Sequence, residues 1–104
     1  MRITLESGLW VDVKDTLVWG DYRVYLSSLP QTGGITKQAF FDLGTAMALR
    51  IITAWSIAPA EINLANIESL SPKDGEELME KLISFCSESF HGKKATASES
   101  VLNT

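Results

Sequence analysis

Residues 3–13 alternate apolar and other side chains on either side of Ser7-Gly8, and that alternation leaves few ways to fold the segment. A two-residue turn at Ser7-Gly8 pairs Leu5 with Trp10 and Ile3 with Asp12, which sends Leu9, Val11 and Val13 to the wrong face. A three-residue loop, Glu6-Ser7-Gly8, pairs Leu5 with Leu9, Ile3 with Val11 and Met1 with Val13. Gly8 then supplies the positive φ that such a loop demands. This register gathers Ile3, Leu5, Leu9, Val11 and Val13 on one face and turns Arg2, Thr4, Trp10 and Asp12 away. The chain opens with a β-hairpin.

After Lys14-Asp15 the period changes from two to that of a helix. Tyr22, Tyr25, Leu26 and Leu29 recur at i, i+3, i+4, i+7, with Asp15 or Thr16 as the cap and Pro30 blocking continuation. Gln31-Thr32-Gly33-Gly34 reads as a loop. Thr36 caps a second helix running to about Trp55, whose stripe is Phe40, Leu43, Met47, Ile51, Ala54 and Trp55. Gly44 within it costs about 1 kcal/mol against alanine, so a close helix crossing is expected there. Residues 56–62 make an irregular connection through Pro59, and Asn63 caps a short turn carrying Leu64, Ile67 and Leu70. Ser71-Pro72-Lys73-Asp74 then opens a last helix with a cap, a proline at the first position and an acid at the third. Its stripe is Leu78, Met79, Leu82, Ile83, Cys86 and Phe90, and Gly92 stops it. The expected architecture is α+β: one small domain over residues 1–91, a hairpin followed by three main helices and a short helical turn. Residues 92–104 read as a flexible tail.

The residues that carry chemistry are sparse. His91 is the single histidine and falls at the end of the last helix. Cys86 shares a stripe with Leu82 and Phe90, as a small buried hydrophobe would. The two do not make a zinc site without further ligands. Gly33-Gly34 lacks the lysine and hydroxyl of a phosphate-binding loop. Asp74, Glu76, Glu77 and Glu80 form a solvated face at a helix start, where negative charge suits the macrodipole. No enzyme, cofactor or metal site is expected. A net charge of −4 offers no basic field for nucleic acid. Residues 46–60 are interrupted by Arg50, Thr53, Ser56 and Pro59, and so do not span a bilayer. One cysteine and no signal-like leader fit a reducing cytosol. Two aromatics stand apart from the stripes: Trp10, on the outward face of the hairpin, and Trp19, at the entry to the first helix. Such residues anchor protein interfaces.

The order of these motifs resembles a known group. Ile3-Thr4-Leu5 and Trp10-Val11-Asp12-Val13-Lys14 lead into Leu17-Val18-Trp19-Gly20-Asp21. A helix ending Ile51-Ile52-Thr53-Ala54-Trp55-Ser56 follows, then residues 62–70 and Ser71-Pro72-Lys73-Asp74. Over residues 3–90 this is similar to the small tail assembly chaperones of long-tailed bacteriophages and prophages. The chain departs from them in carrying only Ile57-Ala58-Pro59-Ala60 where a longer acidic insert is usual, and in lacking a hydroxyl beside Leu64. The resemblance implies a non-enzymatic protein of the host cytoplasm that binds the tape measure protein, helps recruit tail-tube protein and leaves before the virion matures. It implies an apolar groove between the helices from Thr36 and Pro72, so Phe40, Met47, Trp55, Leu78 and Leu82 join Trp10 and Trp19 as candidate protein-binding residues. It also implies a longer product made by frameshifting, for which Lys93-Lys94 is the place. A structural protein of the tail or head–tail connector, and an unrelated small protein-binding regulatory module, are the alternatives. Self-association is left open.

Overall fold

The computed structural model describes residues 1–29, 34–57 and 60–91. The hairpin has the expected register. Strand β1 (Arg2–Thr4) runs antiparallel to β2 (Trp10–Val13), with Ile3 opposite Val11. Leu5 N–H donates to Leu9 O at 2.8 Å, and Gly8 sits at φ 98°. The inward face carries Ile3, Leu5, Val11 and Val13, all buried.

Helix α1 (Trp19–Ser27) follows, and its start differs from expectation. Neither Asp15 nor Thr16 caps it. Val18 is the capping position, and Asp21 reaches back to accept its N–H at 2.9 Å. Asp21 and Tyr25 form the buried side of α1, while Leu26 of the expected stripe is exposed. Pro30 and residues 31–33 lie outside the described residues.

Helix α2 (Lys37–Ile51) is capped as expected, Thr36 Oγ1 accepting from Ala39 N–H at 3.0 Å. It does not continue to Trp55. At Ile51 the chain passes without a loop into β3 (Ile52–Trp55), which pairs antiparallel with β2 and completes a sheet of order β1-β2-β3. The β-branched run Ile51-Ile52-Thr53 favours the strand, and β2 offers it an open edge. The last carbonyl of the helix, that of Ile51, is satisfied by Lys14 N–H at 3.1 Å. A bulge matters here. Val11 faces Trp55 and Asp12 faces Ala54, but Val13 faces Ile52, so Thr53 is the extra residue. Ile52 and Trp55 are an odd number of positions apart and would otherwise point to opposite faces. The bulge lets both enter the core.

Helix α3 (Leu64–Glu68) and helix α4 (Pro72–His91) close the other side, with Asn63 and Ser71 capping as expected. Helix α4 packs along α2, and Gly44 marks their crossing. A Cβ there would lie 2.6 Å from Met79 Sδ and 2.9 Å from Met79 Cβ, so the missing side chain sets the helix separation. The core joins Leu43, Met47 and Ile51 of α2 to Leu78, Leu82 and Cys86 of α4 and to the sheet. The result is α+β, as the alternation and the helical stripes imply. Pro59, the tail expected over residues 92–104 and the Lys93-Lys94 pair lie outside the described residues.

Candidate protein interface

Among the described residues there is no group of His, Cys, Asp and Glu placed to hold a metal ion, and no helix is long and apolar enough to cross a membrane. The features that stand out are an aromatic ledge and a buried carboxylate, both built on α1.

Trp19 opens α1 and is 69% exposed, with Val18 beside it at 55%. One turn on, Tyr22 lies with its ring centroid 5.7 Å from that of Trp19 and 4.9 Å from that of Phe90 on α4. Tyr25 meets Phe90 at 5.0 Å from the buried side. Trp19 thus rests on a ring stack that continues into the core, so its position is held although its own surface is open. Leu17, Val18, Trp19, Tyr22 and Phe90 line a shallow groove of about 290 Å³ where α1 meets the end of α4. A large indole held in place at low entropic cost is what interface anchors require.

Directly beneath, Asp21 is fully buried. Its carboxylate accepts from Val18 N–H at 2.9 Å, from Arg50 Nε at 2.7 Å and from Lys14 Nζ at 3.2 Å. Burial alone would raise its pKa, but the Val18, Arg50 and Lys14 bonds outweigh it and hold the carboxyl below its ordinary range. The charge is therefore kept, and it fixes the first turn of α1 relative to β2 and the end of α2. Cys86, also buried, has its thiol pushed up to about 12 by burial and then by the nearby Asp21 charge. A thiol of that kind is inert.

The sequence-predicted residues divide into three groups. Trp19 stands at the surface on its ledge. Trp10 is half-buried under the Arg2 guanidinium, 3.6 Å from the ring centroid, while Arg2 also bonds Asp12 at 2.8 Å. Strand β2 has partners on both sides, so Trp10 does not project from a free edge. Phe40 is half-buried with its ring 5.8 Å from that of Phe41. Met47, Trp55, Leu78 and Leu82 are core. Met47, Leu78 and Leu82 belong to the core where α2 and α4 pack, and Trp55 enters it from β3, so none of the four lines an open groove. What remains open there is a pocket of about 200 Å³ bordered by Phe41, Thr45, Ile67, Leu70 and Met79.

Sequence reasoning missed the role of Asp21. Its signal was present: Arg50 is the lone charge in a strongly apolar stretch, and a cation there needs a partner. Compared with protein-family models, curated proteins and solved structures, the chain matches none.

Proposed function

We propose that this chain is a non-enzymatic tail assembly chaperone that binds the tape measure protein through the α1 face around Trp19. The observation that carries the reading is the exposure of Trp19 on an ordered aromatic ledge. Leaving a large apolar side chain in water has a cost, and a monomer with no partner gains nothing from it. The motif order along residues 3–90 supports the choice of partner, and the tail-tube protein would be recruited to the complex so formed. The protein would act in the host cytoplasm and leave before the particle is complete.

The test is co-expression with the tape measure protein encoded in the same genome. The wild-type chain is expected to keep that protein soluble and to co-purify with it, and Trp19→Ala is expected to lose both properties while remaining folded. Equal co-purification by the two would reject Trp19 as the anchor. Stoichiometric retention of the chain in purified particles would favour a structural virion protein instead.

A further inference from the structure

The outward side of α1 carries more than an apolar anchor. Trp19, Arg23 and Leu26 fall at i, i+4 and i+7, and all three are exposed. Beside this ridge, opposite the aromatic groove, Gly20, Arg23, Val24, Ser27 and Arg50 line a second groove of about 350 Å³. Gly20 lets the guanidinium lie close against the helix: a Cβ at this position would come 2.5 Å from Arg50 Nη2, and the end of that side chain would have to shift.

Arg50 is held there by one corner. Its Nε donates to the buried Asp21 at 2.7 Å, which fixes the plane of the guanidinium. Among the described residues its Nη groups make no hydrogen bond, and Arg23 has neither a hydrogen bond nor an ion pair. Lys14 and Arg50 share the one buried carboxylate of Asp21, and Arg23 lines the groove beside Arg50, in a chain whose net charge is −4. The spot is locally positive, pre-positioned and bordered by apolar side chains. A guanidinium already oriented loses less freedom on forming a forked pair with a carboxylate.

We propose that this groove takes a carboxylate of the partner: an Asp or Glu about one helical turn from an apolar residue seated against Trp19. The spacing follows from the ridge, since Trp19 and Arg23 are one turn apart. The overall negative charge disfavours a polyanion, and the flanking Trp19, Val24 and Leu26 suit an amphipathic helix. This inference rests on reading the Trp19 face as a docking site, and its test separates the two.

The probes are a synthetic amphipathic helical peptide with leucines at i, i+3, i+4, i+7 and glutamates at i−4 and i−3, one turn before the first leucine, and its twin with every Glu replaced by Gln. Binding to the full chain is measured by calorimetry. The Glu peptide is expected to bind about ten-fold more tightly than the Gln twin. In Arg23→Gln, an exposed position without partners, that preference is expected to fall to about two-fold or less. Trp19→Ala is expected to weaken both peptides alike. Equal binding of the two peptides, with Trp19→Ala still harmful, overturns the carboxylate site and leaves the docking face standing. Glu-peptide binding as tight in Trp19→Ala as in the wild type, or no binding of either peptide at millimolar concentration, overturns both. Inorganic phosphate perturbing the Arg23 and Arg50 side-chain resonances, without any preference between peptides, assigns the groove to a free anion and rejects the partner helix.

Discussion

Arg50 Nε, in the last turn of α2, donates to Asp21 Oδ1 at 2.7 Å, and the same oxygen takes Lys14 Nζ at 3.2 Å from just beyond β2. One buried carboxylate therefore joins the end of the hairpin, the start of α1 and the end of α2. A buried charge with its partners in place adds little net stability, but removing one member leaves the others uncompensated. Asp21→Ala is expected to lower the unfolding free energy by about 3 kcal/mol, the low end for such a pair, because Lys14 and Arg50 are 35% and 40% exposed and rehydrate. Asp21→Asn keeps an acceptor for Val18 N–H and is expected to cost less. Urea unfolding of the three proteins ranks them.

The same group makes stability depend on acid. The Asp21 carboxyl titrates below its ordinary value of 3.8 in the folded chain, so the unfolded chain takes up the proton first. Its contribution is fully present above the unfolded value and is lost as pH falls through the lower folded one. Stability is expected to fall from about pH 4 downward, and Asp21→Asn is expected to flatten that slope. Asp12, held low by its bond to Arg2, shares the trend, so the difference between wild type and Asp21→Asn is the informative quantity. Parallel curves for the two proteins would reject Asp21 as the source.

Much of this fold was legible from residue patterns, and the exceptions have physical causes. The hairpin register followed from requiring Ile3, Leu5, Val11 and Val13 to share a face, and Gly8 at φ 98° is its consequence. The caps at Thr36, Asn63 and Ser71 were readable because capping is local. Strand β3 was not, since Ala54 and Trp55 continue the apolar spacing of α2, and only the open edge of β2 decides against a longer helix. The buried Asp21 likewise depends on Lys14 and Arg50, which are 7 and 29 positions away. As for the candidate interface, Trp19 was singled out from sequence. The cationic groove needed the position of Gly20 against Arg50 to be seen.

Gly8 offers a clean measure of backbone strain. A Cβ there meets nothing within 4 Å, so crowding does not enter. Gly8→Val is expected to destabilise the chain by about 1–2 kcal/mol through the left-handed φ alone. A thermal midpoint equal to wild type would reject the three-residue loop in solution.

Gly44 tests the helix crossing. Alanine gains about 1 kcal/mol of helix propensity. Its methyl group, however, collides with Met79 at the Cβ as well as at the flexible Sδ, and overpacking of this kind costs about 1–3 kcal/mol. Gly44→Ala is expected to be destabilising on balance. Pairing it with Met79→Ala, which removes the Sδ and Cγ contacts but keeps the Cβ, is expected to recover part of the loss. A double mutant as unstable as the sum of the two singles would mean that Gly44 and Met79 do not meet.

Cys86 reports on the opening of the core. It is fully buried between α4 and its neighbours, and its thiol is pushed up to about 12 by burial and by the Asp21 charge. The reactive thiolate is therefore scarce near neutral pH, and a disulfide reagent has no path to it in the closed fold. Labelling of the native chain is expected to follow the population of the open form, slow in wild type and faster in Leu43→Ala, whose cavity is expected to cost about 2–5 kcal/mol. If the Glu peptide docks on Trp19 as proposed, it stabilises the folded state and is expected to slow labelling further in both proteins. Immediate labelling of the wild-type chain under native conditions would show that α4 does not hold its place over the sheet.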